Sequence, residues 1–160
     1  MSEVSSEIKK ITFMNVDEVL DFAVKSEENA NRFYAEWAKR LSGKPIQQVF
    51  EELAAEELKH KEFLLGVKKG HALTPSKNEI TDLKISDYII DVKATLDMDY
   101  QDALVVAMHR EKIAFRLYSN LSDLSTDENM KSTFKMLAQE EAKHKLRLEM
   151  IYDDDILKEN

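Results

Sequence analysis

Apolar side chains recur at alternating steps of four and three along four stretches of this chain, the rhythm that turns one face of a helix toward a core. In the first stretch, residues 15–43, the seam reads Val16, Leu20, Ala23, Glu27, Ala30, Tyr34, Trp37 and Leu41. Asn15 suits a helix N-cap, Glu18 three residues on completes a capping box, and Gly43 stops the helix. In the second, residues 45–70, the seam reads Ile46, Phe50, Leu53, Glu57, His60, Leu64 and Val67, with Pro45 fitting the first turn and Gly70 closing the helix. The third starts at Asp99 and reads Tyr100, Leu104, Ala107, Glu111, Ala114, Tyr118 and Leu121. A loop at 122–126 follows, Thr126 is placed to cap the fourth helix, and its seam reads Met130, Phe134, Leu137, Glu141, His144, Leu148 and Ile151. These stretches are the predicted helices α1 to α4.

The links between them set the topology. Short links join α1 to α2 and α3 to α4, so each pair is expected to fold as an antiparallel hairpin. The stretch 71–98 between the pairs is long, holds Pro75, and has room for a short helix at 86–92. The expected fold is therefore all-α: an antiparallel four-helix bundle with one long crossover between the second and third helices. On this reading residues 1–14 form an N-terminal arm, 15–152 the bundle, and 153–160 an acidic, frayed tail.

The two hairpins also read as copies of each other. A shift of 84 residues carries Leu20 onto Leu104, Ala23 onto Ala107, Glu27 onto Glu111 and Tyr34 onto Tyr118. The same shift carries Phe50 onto Phe134, Leu53 onto Leu137, Glu57 onto Glu141 and His60 onto His144. Two facing copies would share a pseudo-two-fold axis, with matching residues from each half beside it.

Composition narrows the chemistry. At 160 residues the chain is long enough for one domain with a real core, and its 3 glycines and 2 prolines favour helices. A net charge of −8 argues against nucleic acid or an anionic membrane as partner. With no cysteine there is no disulfide, thiolate metal site or cysteine nucleophile. Neither an apolar leader nor a membrane-length apolar run is present, so a cytoplasmic location is the expectation.

What chemistry there is sits on the seams. Each is apolar or aromatic apart from Glu27 on α1, Glu57 and His60 on α2, Glu111 on α3, and Glu141 and His144 on α4. In each Glu-x-x-His pair the two side chains are three residues apart and point the same way. All six fall near mid-helix, so they are expected at a similar depth in the core. Four carboxylates bring a charge of −4 that two divalent ions would cancel. Without metal they could not all ionise. Oxygen and imidazole ligands without sulfur suit iron or manganese, with zinc as a further occupant. Burial of these acids by pairing with lysine is hard to sustain, because no lysine lies on any seam.

Other candidates read more plainly. His109 is turned away from the Glu111 seam and is expected at the surface, and His71 is expected in the connection. Phe33 and Trp37 are expected to pack. Glu56 and Glu140 are expected to face outward as solvated charges, and the run at 153–155 to be a solvated tail.

This set of residues resembles that of the ferritin-like di-iron carboxylate proteins, and its spacing is most similar to the rubrerythrin group, across residues 15–152. The resemblance implies that Glu27 and His60 serve one iron, that Glu111 and His144 serve the other, and that Glu57 and Glu141 bridge. It also implies contacts from Tyr34 and Tyr118 to the ligand glutamates. Ala30 and Ala114 leave room there for oxygen or peroxide. Two features depart from the group. Rubrerythrins typically carry a four-cysteine rubredoxin domain, which this chain lacks, so electrons would come from another protein, such as one of rubredoxin type. They also typically carry a further glutamate where this chain has Ala114, which brings the set closer to that of bacterioferritin. No methionine stands beside the Glu57 and His60 motif to ligate haem.

The function expected is that of a di-iron oxidoreductase reducing hydrogen peroxide or dioxygen in oxidative-stress defence. The expected assembly is a homodimer, with exchange of hairpins between chains left open. The alternatives are a ferritin-like protein that oxidises and stores iron, and a metal-binding module without turnover.

Overall fold

The computed structural model describes residues 16–69 and 98–157. Expectations for the arm at 1–14, Asn15, Gly70, His71, Pro75, the short helix at 86–92 and the last three residues fall outside that range. The chain divides into two compact units, Met1–Ile85 and Ser86–Asn160. Each contains one helical hairpin, and among the described residues there is no strand.

In the first unit α1 is Val16–Arg40 and α2 is Ile46–Lys69. Their pairing is antiparallel: Lys68 meets Asp21, Asn31 meets Ala54, and Tyr34 meets Phe50. Every seam residue of α1 from Leu20 to Leu41 is buried, as are those of α2 from Phe50 to Val67. Tyr34 is fully enclosed and meets Phe33 at 5.5 Å and Phe50 at 5.8 Å, both edge to face, the arrangement ring quadrupoles favour. Trp37 packs as expected, with the Arg40 guanidinium 4.8 Å above its ring.

The turn between α1 and α2 depends on Gly43, whose φ of 83° lies in the left-handed region. Leu41 accepts from the Lys44 amide at 3.0 Å, and the Gln47 side chain reaches back to accept from the Gly43 amide at 3.0 Å. The helix itself stops at Arg40, three residues before the glycine.

In the second unit α3 is Tyr100–Leu124 and α4 is Glu128–Tyr152. Antiparallel pairing is again visible, from Gln101 with Tyr152 through Tyr118 with Phe134 to Ser122 with Lys131. Asp99 caps α3 as expected, its carboxylate accepting from the Asp102 amide at 2.8 Å. Two expectations are corrected here. The loop predicted at 122–126 is shorter, because α3 continues to Leu124, and the cap of α4 is Asp127 rather than Thr126. Asp127 accepts from the Asn129 amide at 3.2 Å, and a carboxylate at a helix start also meets the favourable end of the helix dipole.

The acidic run differs from the frayed tail read from sequence as well. Asp153–Leu157 continues α4 as one π-helical turn. That turn carries Asp155 back to α3, where the Tyr100 hydroxyl donates to it at 2.8 Å.

Candidate metal centre

Each hairpin builds one Glu/Glu/His cluster, and the reason is helix geometry. Glu57 and His60 are three apart on α2 and project from one face. Antiparallel pairing brings Glu27 of α1 to the same level. His60 Nδ1 lies 3.8 Å from Glu27 Oε2 and 4.0 Å from Glu57 Oε1. The second hairpin repeats this with Glu111, Glu141 and His144, and His144 Nδ1 lies 3.6 Å from Glu111 Oε2. Within each hairpin, one potential ligand atom from each of the three residues lies within 4.8 Å of the others. None of the six side-chain-bearing residues is more than 6% exposed.

These distances test the fit of a metal. They are too long for direct hydrogen bonds. Carboxylate and imidazole donors sit about 2.0–2.2 Å from a first-row divalent ion, so two donors on one ion lie roughly 3–4 Å apart. The separations of 3.6–4.0 Å fall in that interval. Burial points the same way, since moving a carboxylate out of water is costly unless a positive charge accompanies it. The donor set, oxygen and nitrogen without sulfur, suits iron or manganese. The residues present therefore fit a metal in each cluster.

Beyond each α1 or α3 glutamate the helix carries an alanine and then a tyrosine. Ala30 is buried and Ala114 half-buried, each three residues after the α1 or α3 glutamate. Tyr34 and Tyr118 are buried two turns after the same glutamates, and Tyr118 stacks on Phe134 at 6.4 Å. His109 is exposed, as expected. Glu56 and Glu140 are half-buried rather than fully outward, because each flanks a buried seam position on its helix.

Two residues of interest escaped the reading of the pattern. Arg110 is buried to 9% exposure beside Glu111, although a charged residue next to a seam gives no signal of burial. Asn31, one turn after Glu27, donates from its side chain to the backbone carbonyl of Ala54 at 2.7 Å. An asparagine off the seam reads as ordinary helix surface until the partner helix is in place.

Comparison with known proteins agrees with this geometry. No curated protein matches the chain significantly. Among solved structures, the chain is similar to a Thermotoga maritima protein described as a ferritin-like diiron-carboxylate protein. The TM-score is 0.76 and the identity 24%, covering 90% of this chain and 97% of the other. It is also similar to a hypothetical protein from Pyrococcus furiosus, with a TM-score of 0.68 and 25% identity over 86% of this chain and 87% of the other. The fold is accordingly the ferritin-like four-helix bundle. No described helix is long and apolar enough to cross a membrane. The rubrerythrin family model matches residues 18–152, a span that runs from the first turn of α1 to the end of α4 and includes both Glu/Glu/His clusters, and the chain belongs to the rubrerythrin family.

Proposed function

We propose that this chain is a non-haem di-iron oxidoreductase that reduces hydrogen peroxide or dioxygen with electrons from an external donor. The observation that carries the reading is the duplicated Glu/Glu/His cluster, buried and set at metal-ligand spacing in each hairpin. Bound iron supplies the one-electron steps that side chains alone do not provide. Glu27, Glu57 and His60 would hold one ion, and Glu111, Glu141 and His144 would hold the other. The buried histidines fix each ion in place, and the carboxylates balance its charge. The apolar seams exclude bulk water. Tyr34 and Tyr118 orient the ligand carboxylates. Ala30 and Ala114 leave space for a molecule the size of peroxide.

Residues 1–160 hold no cysteine, and electrons come from a carrier of rubredoxin type outside them. The working form is a homodimer in the cytoplasm, engaged in oxidative-stress defence. Manganese or zinc compete for the same ligands.

The test is anaerobic loading with Fe²⁺ followed by one equivalent of H₂O₂ or, separately, of O₂, monitored by optical absorption. Two irons per chain and faster oxidation by H₂O₂ are expected. Ala114, in the position of the rubrerythrin glutamate, favours a second reading, iron oxidation and storage. Faster reaction with O₂, uptake of excess iron and elution as a cage far above a dimer of 18.5 kDa chains would establish that reading instead. Absence of stoichiometric binding to folded protein would overturn both.

A further inference from the structure

Helix α4 carries a second seam, opposite the face that buries Phe134, Glu141 and Leu148. There Ser132, Met136, Gln139, Lys143, Leu146 and Met150 follow one another at steps of four and three, and all six are exposed. Among the described residues, the large apolar side chains that are at least 50% exposed are Met136, Leu146, Met150 and Leu157, and all of them lie on α4 or on the turn that continues it. Single exposed apolar residues are ordinary, but a row of them along one helix face marks a contact surface.

The hairpin fold does not require this row. Under the 84-residue repeat, Met136, Leu146 and Met150 fall on Glu52, Glu62 and Gly66 of α2, so the matching helix forms with polar or small residues there. The row also departs from the charge of the chain. The chain has a net charge of −8, whereas the row holds Lys143 and no acid.

The pattern is self-complementary. Two copies of α4 laid antiparallel about a two-fold axis level with Glu141 set Met136 opposite Leu146 and Lys143 opposite Gln139, each pair occurring twice. Apolar residues then meet apolar residues, and the one charged position meets an amide oxygen that accepts from it. Glu140 of the second copy stands next to that Gln139, and at the edge Lys135 comes level with Glu149 of the second copy. Sliding one copy by a turn opposes two Lys143 side chains, and sliding it by two turns sets Lys143 against Leu146, so the polar pair fixes the register. Met150 faces Ser132 at the rim, where contacts add little. A membrane fits the row less well. Lys143 and Gln139 lie in its middle rather than along its flank, and anionic lipid repels a chain of net charge −8.

We propose that this outer face of α4 is a self-association surface whose occupant is α4 of a second copy of the chain, antiparallel, held by Met136 against Leu146 and set in register by Lys143 and Gln139. The proposal rests on the homodimer reading above and adds to it a face and a register.

The experiment is sedimentation of the full-length chain and two variants. The unmodified chain is expected to be a dimer. Leu146→Asp sets a carboxylate against Met136 of the second copy and should raise the dimer dissociation constant at least about thirtyfold, the effect of losing one central contact residue. Helix content should be kept, because Leu146 is exposed within the chain. Met136→Cys combined with Leu146→Cys introduces thiols into a chain that has none. A linker shorter than the roughly 15 Å between these positions along one helix should join that variant into a covalent dimer, and neither substitution alone should allow it. A dimer unaffected by Leu146→Asp, or one that cross-links as readily through either single cysteine, overturns this face and leaves the homodimer standing. A monomeric unmodified chain removes the homodimer and this proposal with it, and capture of that monomer by vesicles of anionic lipid would assign the face to a membrane instead.

Discussion

His60 Nδ1 stands 3.8 Å from Glu27 Oε2, and the two residues belong to different helices separated in sequence by more than thirty positions. The same relationship joins His144 to Glu111 at 3.6 Å in the second hairpin. Its recurrence ties the site to the fold: a hairpin of this register places a carboxylate against an imidazole wherever the seams carry them. The energetic consequence is that each hairpin buries two carboxylates beside one imidazole, an arrangement that is costly unless positive charge accompanies it.

Removing charge from such a core should therefore stabilise the metal-free protein while weakening metal binding. Glu57 is 2% exposed and shares its cluster with Glu27, also 2% exposed. Glu57→Gln removes a buried carboxyl that must either stay charged beside Glu27 or take up a proton, and is expected to stabilise the metal-free protein by about 1–3 kcal/mol. The same variant should lose most of the stabilisation that added Fe²⁺ or Co²⁺ gives the unmodified chain. Thermal unfolding with chelator and with metal, run side by side, measures both. Lower stability of the metal-free variant would contradict the expectation.

Alkaline pH should act on the second hairpin through Tyr100. Burial raises its phenol pKa first, and the hydrogen bond and charge of Asp155 raise it further, out of the usual tyrosine range. A raised pKa means that the folded state favours the neutral phenol. This contribution is complete below the ordinary tyrosine value near 10 and is lost as pH climbs through the higher folded value. Tyr100→Phe is expected to cost about 1 kcal/mol at neutral pH by deleting the hydrogen bond, and to flatten the decline in stability above pH 10. Denaturant melts at pH 7 and across pH 9–11 would reveal both effects. An unchanged alkaline slope would show that the contact does not form in solution.

The apolar seam should dominate stability. Phe50 is 0% exposed and forms an edge-to-face contact with Tyr34 at 5.8 Å. Phe50→Ala removes that contact and opens a cavity, at an expected cost of about 3–5 kcal/mol. Met150, 60% exposed on α4, gives the contrast, and Met150→Ala is expected to change stability by less than about 0.5 kcal/mol. Chemical denaturation of the two variants measures the difference.

Gly43 offers a purely conformational test. A Cβ added there would have no neighbour within 4 Å, so the cost of Gly43→Ala is not steric crowding by other residues. It comes from holding alanine at a φ of 83°, about 1–2 kcal/mol. Equal stability of the variant would mean that the turn between α1 and α2 relaxes to another conformation.

The sequence by itself determined the helices, their pairing and the six candidate ligands. That was legible because the four-three rhythm leaves few places for a polar residue, and Glu27, Glu57, His60, Glu111, Glu141 and His144 stand out against apolar neighbours. A repeat of 84 residues strengthened the signal, since chance does not place two Glu-x-x-His pairs in the same frame as two seam glutamates. Tertiary structure decided what depends on contact between residues far apart in the chain. Thr126 and Asp127 are both good caps on paper, and the start of α4 at Glu128, where the Asp127 carboxylate accepts from the Asn129 amide, selects Asp127. The acidic run looked solvated because charge is read locally, whereas Asp155 is held by Tyr100, distant in sequence but at the same open end of the antiparallel hairpin. Asn31 carried no signal in the pattern for the same reason: its meaning lies in the Ala54 carbonyl, which only the packing of α1 on α2 brings within reach.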